Sequence, residues 1–413
     1  MLPRNLGNLR QYDRNLWILA AGWFISASGF AVSLPFIAIY FHSKYGMSPT
    51  DIGIFYGVMA VVRSAFQGIG GELSDRFSRQ GLMIHTQVYR GISFFLMACA
   101  IYWDWGFWWL AVFLFIMSAF GAIFQPTANA MVSDILPQEQ RLDGYAITRA
   151  AGNLGWAAGP AVGGFMASSS YSMLFVISAV VTFVSAAIFL FFLKAPDNRL
   201  PSDRFHIRDV IAVKDDKLLA RHSLLIFLLY LVVAQLIVPF SLYSVEMVGI
   251  EENQLGYLYT LNGLMVVALQ LPMTRLLSRF SLSVQLAYGA FLYAVGYGMI
   301  GVLVGFEYFM FAIIIVTFGE IVMSPPSLTL TSRLAPEGRM GRYMGIYGFF
   351  VASGWSFGPL FGGYILDHFG QSPALAWALI SSLALVSGIG YLLSRHKFVS
   401  LDRVEPETTP ISE

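Results

Sequence analysis

The sequence predicts an all-α integral membrane protein of twelve transmembrane helices, arranged as two parallel six-helix repeats around a central cavity. Three observations predict it. The 413 residues are 57% apolar and only 12% charged, roughly half the charge of an ordinary soluble domain. Apolar runs of the length that crosses a bilayer core, about 20 residues, lie at roughly 16–41, 51–71, 81–103, 108–133, 142–167, 171–193, 223–245, 254–274, 284–304, 308–330, 343–366 and 373–394. The window Gly155-Trp156-Ala157-Ala158-Gly159-Pro160-Ala161-Val162-Gly163-Gly164 recurs 199 residues later as Gly354-Trp355-Ser356-Phe357-Gly358-Pro359-Leu360-Phe361-Gly362-Gly363, with six matching positions, all Gly, Pro or Trp.

The first run follows Arg4, Arg10 and Arg14. It exceeds the apolar core of a signal peptide and has no evident cleavage site, so it reads as the first span. With the N-terminus in the cytoplasm, 21 of the 25 Lys and Arg fall in cytoplasmic segments, three lie inside spans, and Lys44 alone lies outside. The positive-inside rule then places both termini in the cytoplasm. The chain divides into an N-terminal six-helix bundle (1–193), a cytoplasmic linker (194–222), a C-terminal six-helix bundle (223–395) and a disordered tail (396–413). Within the linker, residues 205–219 fit either a short helix lying on the membrane surface or a solvated connection, since Phe205, Val210, Val213 and Leu218 alternate with charges. The duplication extends beyond the opening window: Pro126 and Pro325, and Pro137 and Pro336, share the offset of 199. Parallel six-span repeats are the pattern of one class of secondary transporter.

In lipid, helices gain little by hiding apolar surface from one another, so small residues that let backbones approach carry the packing. Gly155, Gly159, Pro160, Gly163 and Gly164, and their counterparts Gly354, Gly358, Pro359, Gly362 and Gly363, therefore mark bent, closely packed helices.

After span two comes Gly71-Glu72-Leu73-Ser74-Asp75-Arg76-Phe77-Ser78-Arg79-Gln80. This resembles the loop motif of the major facilitator superfamily, G-x-L-a-D-r-x-G-r-k. Gly71, Leu73, Asp75, Arg76 and Arg79 fit, whereas Ser78 replaces the second glycine and Gln80 the last basic residue. The resemblance implies that Asp75 and the nearby arginines act as a gating loop that latches the two halves; solvated positive-inside charges are the bland alternative. The Gly-Pro window in span five is similar to a motif carried by that superfamily's antiporters, and the Gly319-Glu320 pair followed by Pro325-Pro326 is similar to span ten of certain bacterial multidrug exporters. Pure helix packing is the alternative, supported by the second copy in span eleven, since a packing device can be reused without marking direction. Those exporters also often carry an arginine in span four about four residues before a glycine such as Gly121, and Met117 stands there instead.

Ionisable residues inside spans are expensive and are functional candidates by default. Arg63, Arg90 and Arg149 form one layer at about 12–14 Å from the cytoplasmic ends, counted at about 1.5 Å per residue. Glu320 lies near the middle of span ten. A carboxylate in an apolar cavity has its ionised form disfavoured and can take up and release a proton as the cavity opens to either side; a structural carboxylate paired with an arginine is the alternative. For the arginines, one reading is an anion site, since guanidinium pairs with carboxylate or phosphate. The other is helix anchoring through backbone carbonyls or polar side chains such as Gln67, Gln87, Gln125 and Asn153. The candidate substrate cavity thus comprises Arg149, Asn153, Gln125, Arg63, Arg90, Gln235 and Asn262.

Other chemistries lack support. The single Cys99 permits neither a disulfide framework nor a Cys-based metal site, and no metal site or bound cofactor is expected. Gly354-Trp355-Ser356-Phe357-Gly358 matches a serine-hydrolase pattern but falls within a predicted membrane helix rather than a strand-turn-helix elbow. No H-E-x-x-H, P-loop or paired-Cys site is present, so ATP-driven transport by this chain alone and metal chemistry lack support, and the chain is not expected to be an enzyme. The six histidines fall at helix ends or in polar segments and do not cluster. The expected activity is that of a proton-coupled antiporter of the bacterial inner membrane, exporting lipophilic small molecules by alternating access with the proton gradient as energy source. Its expected partners are the lipid bilayer, a small-molecule substrate and protons, with no nucleic acid, and it is expected to be a monomer. Two rivals stay open: a carrier of an organic anion that uses the arginine layer, and a non-transporting membrane receptor or scaffold.

Overall fold

The structure, a computed structural model, describes residues 12–137, 140–194, 216–336 and 340–402. Among them there is no strand. Twelve long helices follow in order: α1 (Arg14–Tyr45), α2 (Pro49–Arg76), α3 (Arg79–Tyr102), α4 (Phe107–Ile135), α5 (Arg141–Ala167), α6 (Tyr171–Phe191), α7 (Lys217–Val233), α8 (Glu252–Leu277), α9 (Leu282–Ile300), α10 (Phe306–Leu334), α11 (Met340–Phe369) and α12 (Pro373–Asp402). Nine helical stretches among the described residues are long and apolar enough to cross a membrane. The other three expected spans, α3, α5 and α9, are helical but more polar: Arg79 and Arg90 interrupt α3, Arg141, Asp143 and Arg149 interrupt α5, and Gln285 with Tyr288, Tyr293 and Tyr297 dilutes α9.

Local sequence sets the helix ends. Gly46, at φ 63°, takes the left-handed conformation that ends α1, and Ser48 then opens α2 with a capping box to Asp51 and Pro49 in the first turn. Ser78 caps α3, Ser170 caps α6, and Asp216 caps α7 by accepting from the amides of Leu218 and Leu219. At two boundaries the structure departs from expectation. Helix α7 starts at Lys217, inside the expected linker, because Asp216 supplies its cap and Leu219 and His222 are buried. Helix α12 runs to Asp402, past the expected start of the tail, because Phe398 is fully buried. Arg4, Arg10, most of the linker (195–215) and the rest of the tail (403–413) lie outside the described residues.

The chain forms two compact units: Met1–Asp203 with Leu236–Val267 and Pro359–Asp367, and Arg204–Gln235 with Ala268–Gly358 and His368–Glu413. These cut across the two sequence halves, since the first unit takes up much of α8 and one end of α11. In the first unit α1 packs along α5 and against α6, α3 along α4 and α6, and α2 along α4. A Cβ on Gly155 would lie 2.5 Å from the Phe24 carbonyl oxygen, on Gly159 2.8 Å from that of Ser28, and on Gly163 2.1 Å from that of Val32. These glycines let α5 lie against the backbone of α1. In the second unit α9 packs on α10 and α12, and α12 packs on α7. There Gly354 and Gly358 bring α11 against α7, with would-be Cβ atoms 2.6 Å and 2.4 Å from the Cβ atoms of Tyr230 and Ala234. The duplicated window thus joins equivalent helix pairs, fifth to first and eleventh to seventh.

The seventh span is discontinuous. After α7 come a 3₁₀ turn (Ala234–Leu236), a single helical turn (Pro239–Leu242) and a π turn (Tyr243–Met247). Pro239 has no amide proton to continue the ladder, and carbonyls left open in lipid cost several kcal/mol each. The hydroxyls of Tyr259 and Ser241 donate to the Leu236 and Ile237 carbonyls, and the two hydroxyl oxygens lie 2.8 Å apart. Tyr259→Phe should therefore destabilise the protein by about 1–2 kcal/mol. It would be read as a lower melting temperature in detergent; unchanged melting would show that the hydroxyl is dispensable.

Candidate functional site

The first unit carries the arginine layer. Arg90 on α3 is only 5% exposed. Its Nη1 donates to Ser26 Oγ (2.9 Å) and Gln87 Oε1 (3.2 Å), and its Cζ lies 5.8 Å from the Phe30 ring centroid. Its Nε is buried with no hydrogen-bond partner. Arg63 on α2 is exposed, and its Nη2 donates to Gln125 Oε1 on α4 at 3.5 Å. The charges of Arg63 and Arg90 act on each other, and neither guanidinium is paired with a carboxylate of the described residues. Gly121 of α4 borders the guanidinium, since a Cβ there would lie 3.5 Å from Arg90 Nε. The arginine that span four lacks at Met117 thus has a counterpart from α3 beside the span-four glycine. Phe30 in turn meets Trp156 of α5 edge to face, with centroids 5.6 Å apart.

Arg149 and Asn153 are exposed one turn apart on α5, and Asn262 of α8 is half-buried. Gln235 departs from the expected cavity. It is fully buried in the second unit, and its Nε2 donates to the carbonyls of Leu231 and Gly358, so its amide joins α7 to α11.

In the second unit Glu320 is half-buried on α10. Its charge acts on the buried Tyr293 of α9, and Gly319 and Gly289 bring the two helices together, with a Cβ at Gly289 lying 3.0 Å from the Gly319 carbonyl oxygen. Pro325 has no amide proton for the carbonyl four residues back, Ile321. Gln270 Nε2 of α8 donates to that carbonyl at 3.0 Å, next to Glu320. The proline pair therefore opens the ladder beside the acid, and a side chain covers the gap.

A buried histidine was not legible as such. His222 of α7 is fully buried, with Nε2 3.0 Å from Thr331 Oγ1 and 3.3 Å from the Ser327 carbonyl oxygen, and Nδ1 2.9 Å from the Tyr391 hydroxyl. Tyr347 stacks on its ring and bonds Ser327 Oγ at 2.9 Å. The sequence placed His222 in a polar linker. The signal that could have found it was the spacing of Ser327 and Thr331, one turn apart on α10.

The loop motif is tied down inside the first unit. Arg79 is buried, and its Nη1 donates to the Ala130 carbonyl at 3.0 Å and forms an ion pair with Asp134 at the end of α4. Arg76 pairs with Glu72 one turn back on α2, and Gly71 has open space around it. The departures from the motif have local work: Ser78 caps α3, and Gln80 Nε2 donates to the carbonyls of Phe189 (3.0 Å) and Leu193 (2.7 Å) at the end of α6. Asp75 lies in α2, and its side chain is outside the described residues.

At the end of the first unit remote from Arg14, α2 meets the 359–367 segment of α11 at backbone distance. A Cβ on Gly53 would lie 2.6 Å from the Pro359 carbonyl oxygen, and one on Gly363 2.2 Å from that of Pro49. The Thr50 amide donates to Asp367 Oδ2 at 2.7 Å. Gly164 meets Gly256 of α8 in the same manner, with a would-be Cβ 2.9 Å from its Cα. Gly362 is buried in this segment.

The family model described as Major Facilitator Superfamily matches residues 19–359 and 223–412. The chain is 28% identical over 366 residues to an uncharacterized MFS-type transporter, YttB, of Bacillus subtilis (strain 168), covering 86% of this chain and 89% of that one. It is 25% identical over 382 residues to multidrug resistance protein MdtH of Proteus mirabilis (strain HI4320), covering 91% and 92%. A solved peptide transporter, POT, superposes with a TM-score of 0.78 at 14% identity, covering 94% of this chain and 95% of that one.

Proposed function

Since the chain belongs to the major facilitator superfamily, a family of membrane transporters and not enzymes, we propose that it is a proton-coupled antiporter that exports lipophilic small molecules by alternating access. The observation that carries the reading is Glu320, a half-buried acid far from either end of an apolar helix, beside Tyr293. In such surroundings the ionised form loses hydration, so the side chain can take up a proton and release it as substrate enters and leaves. Loading and release of the proton would bias which side of the protein opens. If both termini lie in the cytoplasm of a bacterial inner membrane, the backbone contact between α2 and the 359–367 segment would serve as the outer gate, a reading supported by its close approach at Gly53 and Gly363. Export is favoured by the similarity to a multidrug resistance protein. The proton gradient would be the energy source, with no bound cofactor, and one chain would hold a complete pathway, so the working unit is a monomer.

The test is proton movement in proteoliposomes with an imposed pH gradient and a pH-sensitive dye inside, across a panel of lipophilic cations, neutral compounds and acids. At least one compound should drain the gradient in the wild type. Glu320→Gln should reduce that coupled flux about 100-fold or more, the size expected when a proton-transfer group is lost. A wild type that ignores the gradient, or a variant that couples as well as wild type, overturns the reading.

A further inference from the structure

Burying a charge without a counter-charge is costly, and proteins meet that cost with a paired carboxylate or with a ligand. Arg90 has the cost without the carboxylate. It is 5% exposed, and its hydrogen bonds go to two neutral oxygens, Ser26 Oγ and Gln87 Oε1, both through Nη1. The Nε–Nη2 edge, the side of a guanidinium that receives a carboxylate through two parallel hydrogen bonds, makes none. A second cation, Arg63, lies within electrostatic range and is likewise held by a neutral group, Gln125. Two like charges brought together with only neutral partners favour whatever anion can reach both.

The surroundings add shape to the charge. Gly121 puts no side chain against the Arg90 guanidinium, and Arg63 and Gln125 are exposed, so the accessible side of the pair is at Arg63. On the α1 side the guanidinium rests on Phe30, and Phe30 leads to the exposed Trp156. A cation pair next to an aromatic shelf fits a molecule that is anionic at one end and flat and apolar at the other. We propose that Arg90 and Arg63, with Gln125, seat the anionic group of an amphipathic organic carboxylate whose aromatic body lies against Phe30 and Trp156. The proposal rests on reading the chain as a small-molecule transporter and narrows its substrates to acids of this kind.

The test is binding, with no gradient imposed and Glu320 left in place, so failure of proton coupling leaves it standing, and its own failure leaves export of neutral or cationic compounds standing. Purified protein in nanodiscs of zwitterionic lipid is titrated with 2-naphthoate and with its uncharged analogue 2-naphthylmethanol, followed by tryptophan quenching and melting temperature. The carboxylate should bind about tenfold tighter or better. Arg90→Gln and Arg63→Gln should each remove that preference and leave the alcohol's affinity unchanged. Arg90→Gln should also melt no lower than wild type without ligand, because the charge it removes has no counter-charge; a structural anchor would melt lower. Equal binding of acid and alcohol, or a preference that survives both substitutions, overturns the proposal. Should Arg90→Gln fail to fold, the exposed Arg63→Gln and Gln125→Leu decide by the same readout. Loss of the naphthoate preference in nanodiscs containing phosphatidylglycerol would assign the seat to a lipid headgroup and overturn it as well.

Discussion

Gly363→Val will open the contact between α2 and the 359–367 segment of α11, and a crosslink between Thr50→Cys and Asp367→Cys in a Cys99→Ala chain will form up to about 30-fold more slowly than with glycine in place. The argument is steric. A Cβ at Gly363 would stand 2.2 Å from the Pro49 carbonyl oxygen and 2.7 Å from its carbonyl carbon. Both are backbone atoms with no rotamer to change, so the segments must separate. Overpacking of this kind costs about 1–3 kcal/mol, and about 2 kcal/mol is a 30-fold change in the closed-to-open ratio, which sets the upper bound of the slowing. Thr50 and Asp367 are suited to report it because the Thr50 amide is 2.7 Å from Asp367 Oδ2 in the closed contact. The control lies in the same two helices: Gly57 and Gly348 have nothing within 4 Å of a would-be Cβ, so valine there should leave the crosslink unchanged. Equal crosslinking in Gly363→Val and wild type would mean that the contact is not closed in the protein as purified.

The second large effect is expected at Arg79. Its side chain and that of Asp134 are 7% and 5% exposed, and they form a buried ion pair. Removing one member of such a pair leaves the other's charge buried, at about 3–5 kcal/mol, whereas removing both can be nearly neutral. Arg79→Ala should therefore lower the melting temperature strongly, and Arg79→Met combined with Asp134→Leu should recover most of the loss. A double variant no more stable than Arg79→Ala would assign the cost to the Ser74 and Ala130 carbonyls that Arg79 also holds. Either way the loop motif has an architectural task within the first unit, fastening the start of α3 to the end of α4.

Much of this was legible from residue order alone because lipid narrows the choices. The apolar runs mapped onto α1 to α12, and the Gly-Pro windows at Gly155 and Gly354 joined equivalent helix pairs, as a duplicated packing device must. Of the groups that Arg63 and Arg90 touch, Gln125 and Gln87 were among the polar partners the sequence offered, whereas Ser26 of α1 was not, since nothing in the local pattern links it to Arg90. His222 was misplaced for a related reason: its partners Ser327, Thr331 and Tyr391 lie 105 to 169 residues away, and a histidine beside a polar linker reads as solvated until they are seen. Gln235 was expected to line a cavity because it is polar in an apolar run. Its carbonyl partners on α7 and α11 show that a buried amide can serve the backbone instead. The compact units could not be read either, because they depend on α8 meeting α5 and the end of α11 meeting α2 through glycines spread along the chain.

The discontinuous seventh span has a consequence for the membrane that holds it. A break in a helix ordinarily invites water to the freed carbonyls, and a file of waters conducts protons. Here the Leu236 and Ile237 carbonyls are covered by hydroxyls of Tyr259 and Ser241, and the Leu231 carbonyl by the amide of Gln235. Protein donors in place of water on these carbonyls would let the chain bend without drawing a file of waters into the bilayer.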